Sequence, residues 1–203
     1  MRPISFIQPS RNNLKYLKWS YNYIRKNLGY IHEICMADDF SNDGTWEWLQ
    51  EIQKKDPNVK IHRNEGPTRL GHTILYDTLI NDYATNDIVM IYHADMYALP
   101  KLDEEIDKYI EPGVVVSATR IEPPLHPEGP EKIISDYGIE PEEFKEQELL
   151  RDTQNNKILM DDDNFYNKQS KLCRDMYLNS NFRENKWKQI MENVLEEIIN
   201  ETN

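Results

Sequence analysis

Apolar residues along the first 120 positions recur with two different periods. Short apolar runs at residues 4–8, 31–37, 59–62, 88–92 and 114–118 have the length of buried strands. Helical patterns lie between them. In the first, Leu14, Leu17, Tyr21, Ile24 and Leu28 follow steps of three and four and share one face. The second predicted helix covers 44–55, the third 70–83 and the fourth 101–110, with Asp43-Gly44-Thr45 and Pro100 as start signals. Strand–helix alternation with apolar strand centres predicts an α/β fold, a mainly parallel sheet with helices on both faces. Ligands of such sheets bind beyond the carboxyl ends of the strands, so the loops after each apolar run are where chemistry is expected.

Past residue 120 the pattern changes. Residues 121–130 hold Pro123, Pro124, Pro127 and Pro130 with little periodicity and read as an ordered loop or lid. Residues 141–180 are polar and helix-leaning, with an acidic triplet at Asp161, Asp162 and Asp163. An amphipathic helix is predicted over 183–201, with Trp187, Ile190, Met191, Val194, Leu195, Ile198 and Ile199 on one stripe. It suits packing on the domain or a contact between copies in a homo-oligomer.

Charge narrows the function classes. A net charge of −12 disfavours a general nucleic-acid binder, which would carry a basic face. A small anionic ligand stays compatible, because one metal ion or one Arg reverses the sign locally. Charged residues make up 30% of the chain, but 12 Tyr, 4 Trp and 5 Phe supply a core and argue against disorder. Cys35 and Cys173 lack zinc-site spacing; Cys35, within Ile34-Cys35-Met36-Ala37, reads as a small buried thiol. With no apolar run of about 18 residues and no apolar leader, the expectation is a soluble, cytoplasmic chain without a transmembrane segment.

Two polar stretches stand at predicted strand ends. Asp38-Asp39-Phe40-Ser41-Asn42-Asp43-Gly44-Thr45 follows the second run. Capping and turn chemistry accounts for Ser41, Asn42, Asp43 and Gly44. It does not account for two adjacent carboxylates, which repel unless donors meet them. A carboxylate there can accept from a base imide N–H or ribose hydroxyls. His93-Ala94-Asp95 follows the fourth run. A carboxylate beside a diphosphate requires a divalent cation between them; oxygen ligands suit Mg²⁺ or Mn²⁺, and an imidazole tilts the choice toward Mn²⁺.

The Pro9-Ser10-x-Asn12 turn, the Asp-Asp-x-Ser-x-Asp-Gly-Thr stretch and His93-Ala94-Asp95 resemble, in order and spacing, the motifs of family 2 glycosyltransferases over residues 3–125. The resemblance implies a GT-A (Rossmann-like) fold that takes a nucleoside diphosphate sugar, UDP-type first, to a glycan or other hydroxyl acceptor, with inversion. It divides the chain into a nucleotide-sugar core over 1–125 and a reduced, helical acceptor side over 126–203. By position, Pro9 and Asp39 would line the base, with Ser10 and Arg11 beside them and Asp38 supporting the loop. Arg69 matches a base or phosphate contact, and Gly71 allows a close helix start. His93 and Asp95 occupy the Asp-x-Asp metal motif, with His93 in place of its first acid. The family's catalytic Asp or Glu has no clear counterpart; Asp161, Asp162 and Asp163 are the first candidates, against their reading as a solvated charge run. Arg120 and His126 would touch the diphosphate or acceptor cleft, or simply belong to a rigid loop. Two other functions remain open at this point. One is a nucleotide-sugar-binding module without turnover. The other is a nucleotidyltransferase, which would usually carry a Gly-rich, Lys-containing loop where Pro9-Ser10-Arg11-Asn12-Asn13 stands.

Overall fold

The computed structural model describes residues 1–112, 114–118, 120–125 and 132–154. The chain divides into two units, Met1–Leu150 and Arg151–Asn203, and both sheets belong to the first. Strands β1 (Ile4–Ser10), β2 (Glu33–Asp39), β3 (Val59–Asn64) and β4 (Ile88–Ile91) form one parallel sheet in the order β3-β2-β1-β4. Helices α1 (Leu14–Asn27), α2 (Thr45–Lys55) and α3 (His72–Thr78) cross between them, and α3 continues into a π-helical turn, Leu79–Tyr83. After β4 come α4 (Leu102–Asp107), β5 (Arg120–Glu122), β6 (Lys132–Ile134), a 3₁₀ turn at Pro141–Glu143 and α5 (Glu146–Gln154).

The pleat explains the layers. Ile4 and Phe6 of β1 share a face with Ile34 and Met36 of β2, and there they meet Leu17 and Ile24 of α1 and Leu49 of α2. Ile7, Cys35 and Ala37 point the other way, against Leu75 of α3 and Leu79 of the π-helical turn. All seven positions of β1 and of β2 are buried, the signature of central strands covered on both sides. Each large apolar side chain so buried contributes about 1.5–3 kcal/mol. β4 lies at the edge, and its Val89 and Ile91 remain 36% and 50% exposed.

The predicted fifth strand at 114–118 does not form. Val114, Val115 and Val116 have no regular structure, and Val115 is 94% exposed. β-Branched residues favour strands only where a partner and a packing face exist, and among the described residues this run has no strand partner. The strand formed instead is β5, inside the segment predicted to be a loop; it pairs in parallel with β6 in a separate two-stranded sheet. The predicted helix at 183–201 lies outside the described residues, as do Asp161, Asp162, Asp163, His126 and Cys173. Cys35 is a fully buried free thiol, which burial and the nearby Glu33 carboxylate push up to about 12. Among the described residues no helix is long and apolar enough to cross a membrane.

Buried polar pairs tie the amino ends of the strands. His32 Nδ1 accepts the N–H of Ile4 at 3.1 Å, so Nε2 carries the proton and donates to Asp103 at 2.9 Å. Asp103 also accepts the N–H groups of Gly29 and Tyr30. Burial outweighs the attraction of Asp103 and lowers the His32 pKa, leaving the ring neutral. Glu33 accepts from Ser5 Oγ at 2.6 Å, from Thr85 Oγ1 at 2.7 Å and from the Thr85 N–H at 2.9 Å, and pairs with Lys60 at 2.7 Å. Burial would raise its pKa, but Lys60, Ser5 and Thr85 bring it down to about 2. A folded pKa below the ordinary 4.5 means stability present above pH 4.5 and lost between there and about 2. The expected loss is on the order of 3 kcal/mol, and Glu33→Gln should abolish most of that acid dependence. Urea midpoints measured from pH 7 down to 3 for both proteins test this; parallel curves would refute it.

Candidate functional site

The loops at the carboxyl ends of β1 and β2 interlock. Ser41 Oγ accepts the N–H of Asn12 at 2.9 Å, and Asn12 Oδ1 accepts the N–H of Asn42 at 2.9 Å. Asp43 caps two helices at once. Its Oδ2 accepts the N–H of Leu14 at the start of α1, and its Oδ1 accepts the N–H and hydroxyl of Thr45 at the start of α2. Gly44, at φ +88°, supplies the left-handed residue this junction needs. The polar motif residues thus fold two loops onto each other.

Asp38 and Asp39 take separate roles. Asp38 is fully buried; its Oδ1 accepts the N–H of Ser41 at 3.0 Å, while Oδ2 lies 3.7 Å from Arg63 Nε. Asp39, 2% exposed, accepts Asn64 Nδ2 at 2.7 Å and the N–H groups of Leu70 and Gly71, both at 3.0 Å. Burial pushes its pKa up, but these three donors, with the nearby Arg69 charge, hold it below the usual carboxylate value. Asn64 also donates to the Thr68 carbonyl and accepts the Gly66 N–H, so residues 64–71 fold around this pair. A side chain at Gly66 would run into the Phe40 ring, which fixes glycine there.

The ends of β1 and β4 enclose a cleft of about 180 Å³. Pro9, Ser10, Arg11, His93 and Asp95 line it. Asn13 and His72 line it too, although no motif marks them. His72 directly follows Gly71, and the parallel sheet carries the β3–α3 loop to the same rim; that adjacency was the available signal. Asp38, Asp39, Arg69 and Gly71 do not line the cleft: Asp39 braces the loop beside it, and Arg69 sits exposed on that loop. Arg120 stands in β5, 3.3 Å from Glu122.

A buried amide also acts on this rim. Gln8, fully buried in β1, donates through Nε2 to Ser20 Oγ at 2.9 Å and to the His93 carbonyl at 3.3 Å. The Met96 N–H turns back to the same carbonyl, so the turn that presents His93 and Asp95 is held from both sides. Two donors in the cleft, Ser10 Oγ and Arg11 Nε, are buried without a partner among the described residues. The Asp95 carboxylate is exposed and joins no hydrogen bond or ion pair among those residues. Nor do three His, Cys, Asp or Glu side chains among them converge into a metal cluster. The Asp95 carboxylate and the His93 imidazole on the cleft wall are donors a divalent cation accepts, and the rest of its shell would have to come from a ligand and water.

The sequence model of Glycosyl transferase family 2 matches residues 5–174. The chain belongs to that family. Similar solved structures include S. aureus TarS 1-349 in complex with UDP, at 22% identity and TM-score 0.46, covering 53% of this chain and 31% of that one. Another is the mannosyltransferase PcManGT from Pyrobaculum calidifontis in complex with GDP-Man and Mn²⁺, at 25% identity and TM-score 0.43, covering 51% of this chain and 30% of that one. This chain spans under a third of the length of either structure.

Among the described residues, the acids that follow β6 do not line the cleft. Glu140 accepts Lys15 Nζ and Tyr16 Oη, each at 2.7 Å, and Glu142 pairs with Lys15 at 2.6 Å. Glu146 accepts Lys26, Tyr23 and Tyr97. These carboxylates fasten their segment to α1, and Asp95 is the only acid on the cleft wall among the described residues.

Proposed function

We propose that the chain transfers a sugar from a UDP-type nucleoside diphosphate sugar to an acceptor hydroxyl, with inversion and with Mn²⁺ or Mg²⁺ at the diphosphate. The observation that carries this reading is the cleft at the carboxyl ends of β1 and β4. There the Asp95 carboxylate shares a wall with the donors Ser10 Oγ and Arg11 Nε, all three without a partner among the described residues. A diphosphate with its cation satisfies both kinds of group together. Asp95 and His93 would hold the ion, which when bound stabilises negative charge on the leaving diphosphate. The chain's own residues do the positioning. Pro9 and the loop braced by Asp39 line the nucleoside, Arg11 and Arg69 meet phosphate charge, and Gln8 fixes the turn that carries Asp95. The buried Cys35 thiol supports a reducing, cytoplasmic setting.

A thermal-shift titration tests the reading. At about 100-fold excess over the dissociation constant, UDP with Mn²⁺ should stabilise the protein by roughly 2.7 kcal/mol, a rise of roughly 5–10 °C. With EDTA the shift should shrink sharply; equal shifts would remove the cation from the account. A second reading, a donor-binding module without turnover, is favoured by the lack of any acid but Asp95 on the described cleft wall. Release of UDP from a UDP-sugar in Mn²⁺ separates the two, since a binding module leaves the donor intact.

A further inference from the structure

His72, the first residue of α3, lines the cleft together with Arg11, His93 and Asp95. Its ring stands nearly perpendicular to that of His93, at 6.1 Å between centroids and 88°. Tyr76 completes a triangle, 6.2 Å from His72 and 6.3 Å from His93. The three rings brace one another edge to face and form one wall. Tyr76 is half-buried beneath it, whereas His72 is exposed and makes no hydrogen bond or ion pair among the described residues. An imidazole offers at least one N–H in either tautomer.

The rest of the cleft is biased the same way. Ser10, 2% exposed, has a hydroxyl with no partner among the described residues, and so does the Nε of Arg11. Donors outnumber the single carboxylate, on a chain of net charge −12. Unpaired buried donors cost free energy until an anion with several oxygens meets them.

We propose that His72 is a direct contact of the donor's diphosphate and contributes to the cleft's preference for phosphorylated over bare nucleosides. The assignment rests on reading the cleft as the donor site. It gives the β3–α3 loop two tasks: Leu70 and Gly71 dock on Asp39 through their N–H groups, and the next residue reaches the phosphates.

Isothermal titration with UDP in Mn²⁺ tests the contact, using the full chain, His72→Ala and His72→Gln, with uridine as the unphosphorylated control. His72→Ala should weaken UDP about tenfold. His72→Gln, which keeps an N–H donor, should recover most of that loss, and uridine should bind all three proteins alike. Unchanged UDP affinity in His72→Ala overturns the contact while leaving the donor site standing. A parallel loss for UDP and uridine, or an equal loss in both variants, also overturns it, because the ring would then be packing rather than donating. If the parent binds no UDP, the donor-site reading falls and this assignment falls with it.

Discussion

Asp39→Asn is expected to lower the stability of the fold by about 3 kcal/mol and to abolish UDP binding whether or not Mn²⁺ is present. The carboxylate is 2% exposed and takes hydrogen bonds from Asn64, Leu70 and Gly71. Both of its oxygens are therefore occupied by donors. An amide of the same shape replaces one oxygen by an NH₂ group, which must face either the Gly71 N–H or both the Leu70 N–H and the Asn64 amide. At least one buried donor is then left unpaired, and the ionic strengthening of the others disappears. The depressed Asp39 pKa carries the same information. Because the folded value lies below the unfolded one, the carboxylate stabilises the fold at neutral pH and loses that contribution as the pH falls through the folded pKa. Urea unfolding should give a lower midpoint at an unchanged slope, and calorimetry should detect no UDP binding. A midpoint within about 0.5 kcal/mol of the parent would defeat the prediction, since surface substitutions commonly fall in that range.

The contrast between strand cores and site explains what the sequence made legible. β1 and β2 are buried on both faces, so their apolar runs are nearly continuous and their positions readable without a structure. α1 was readable for the complementary reason: one stripe, with Leu17 and Ile24 at its centre, faces a core. The run at 114–118 has the composition of a strand, but composition does not supply a neighbour, and Val115 stays in solvent. Polar pairing was the least legible part. His32 and Asp103 lie 71 residues apart and belong to no motif, yet they pin β1, β2 and α4 together. At the site, two acids at a strand end read as a ligand contact, yet neither lines the cleft. What the sequence left unstated is that three donors from residues 64–71 fold back onto Asp39, leaving Asp95 as the open carboxylate. Gln8 illustrates the same limit. In a strand otherwise apolar around it, it reads as an oddity until its amide is found holding the His93 carbonyl.

Asp95→Asn is expected to leave stability unchanged while removing the Mn²⁺-dependent part of UDP binding and lowering sugar transfer at least about 100-fold. Its side chain is exposed at the end of the β4 segment and makes no hydrogen bond or ion pair among the described residues, so the fold loses nothing when the charge goes. Its uncompensated field is felt nearby: after burial, the Asp95 charge is what raises the pKa of the Tyr76 hydroxyl. Such a carboxylate raises the cost of bringing in a diphosphate unless a cation stands between them. Neutralising it therefore has opposite effects in the two conditions. In EDTA, UDP should bind the variant as well as the parent or slightly better, because a repulsion has been removed. In Mn²⁺, the parent should gain affinity and the variant should not, because an amide oxygen is a weaker ligand than a carboxylate for a hard cation. Thermal midpoints with and without ligand, in both buffers, read all four combinations. If Asp95→Asn gains as much from Mn²⁺ as the parent does, the ion is held elsewhere, and the His93-Ala94-Asp95 turn is a scaffold rather than a metal site.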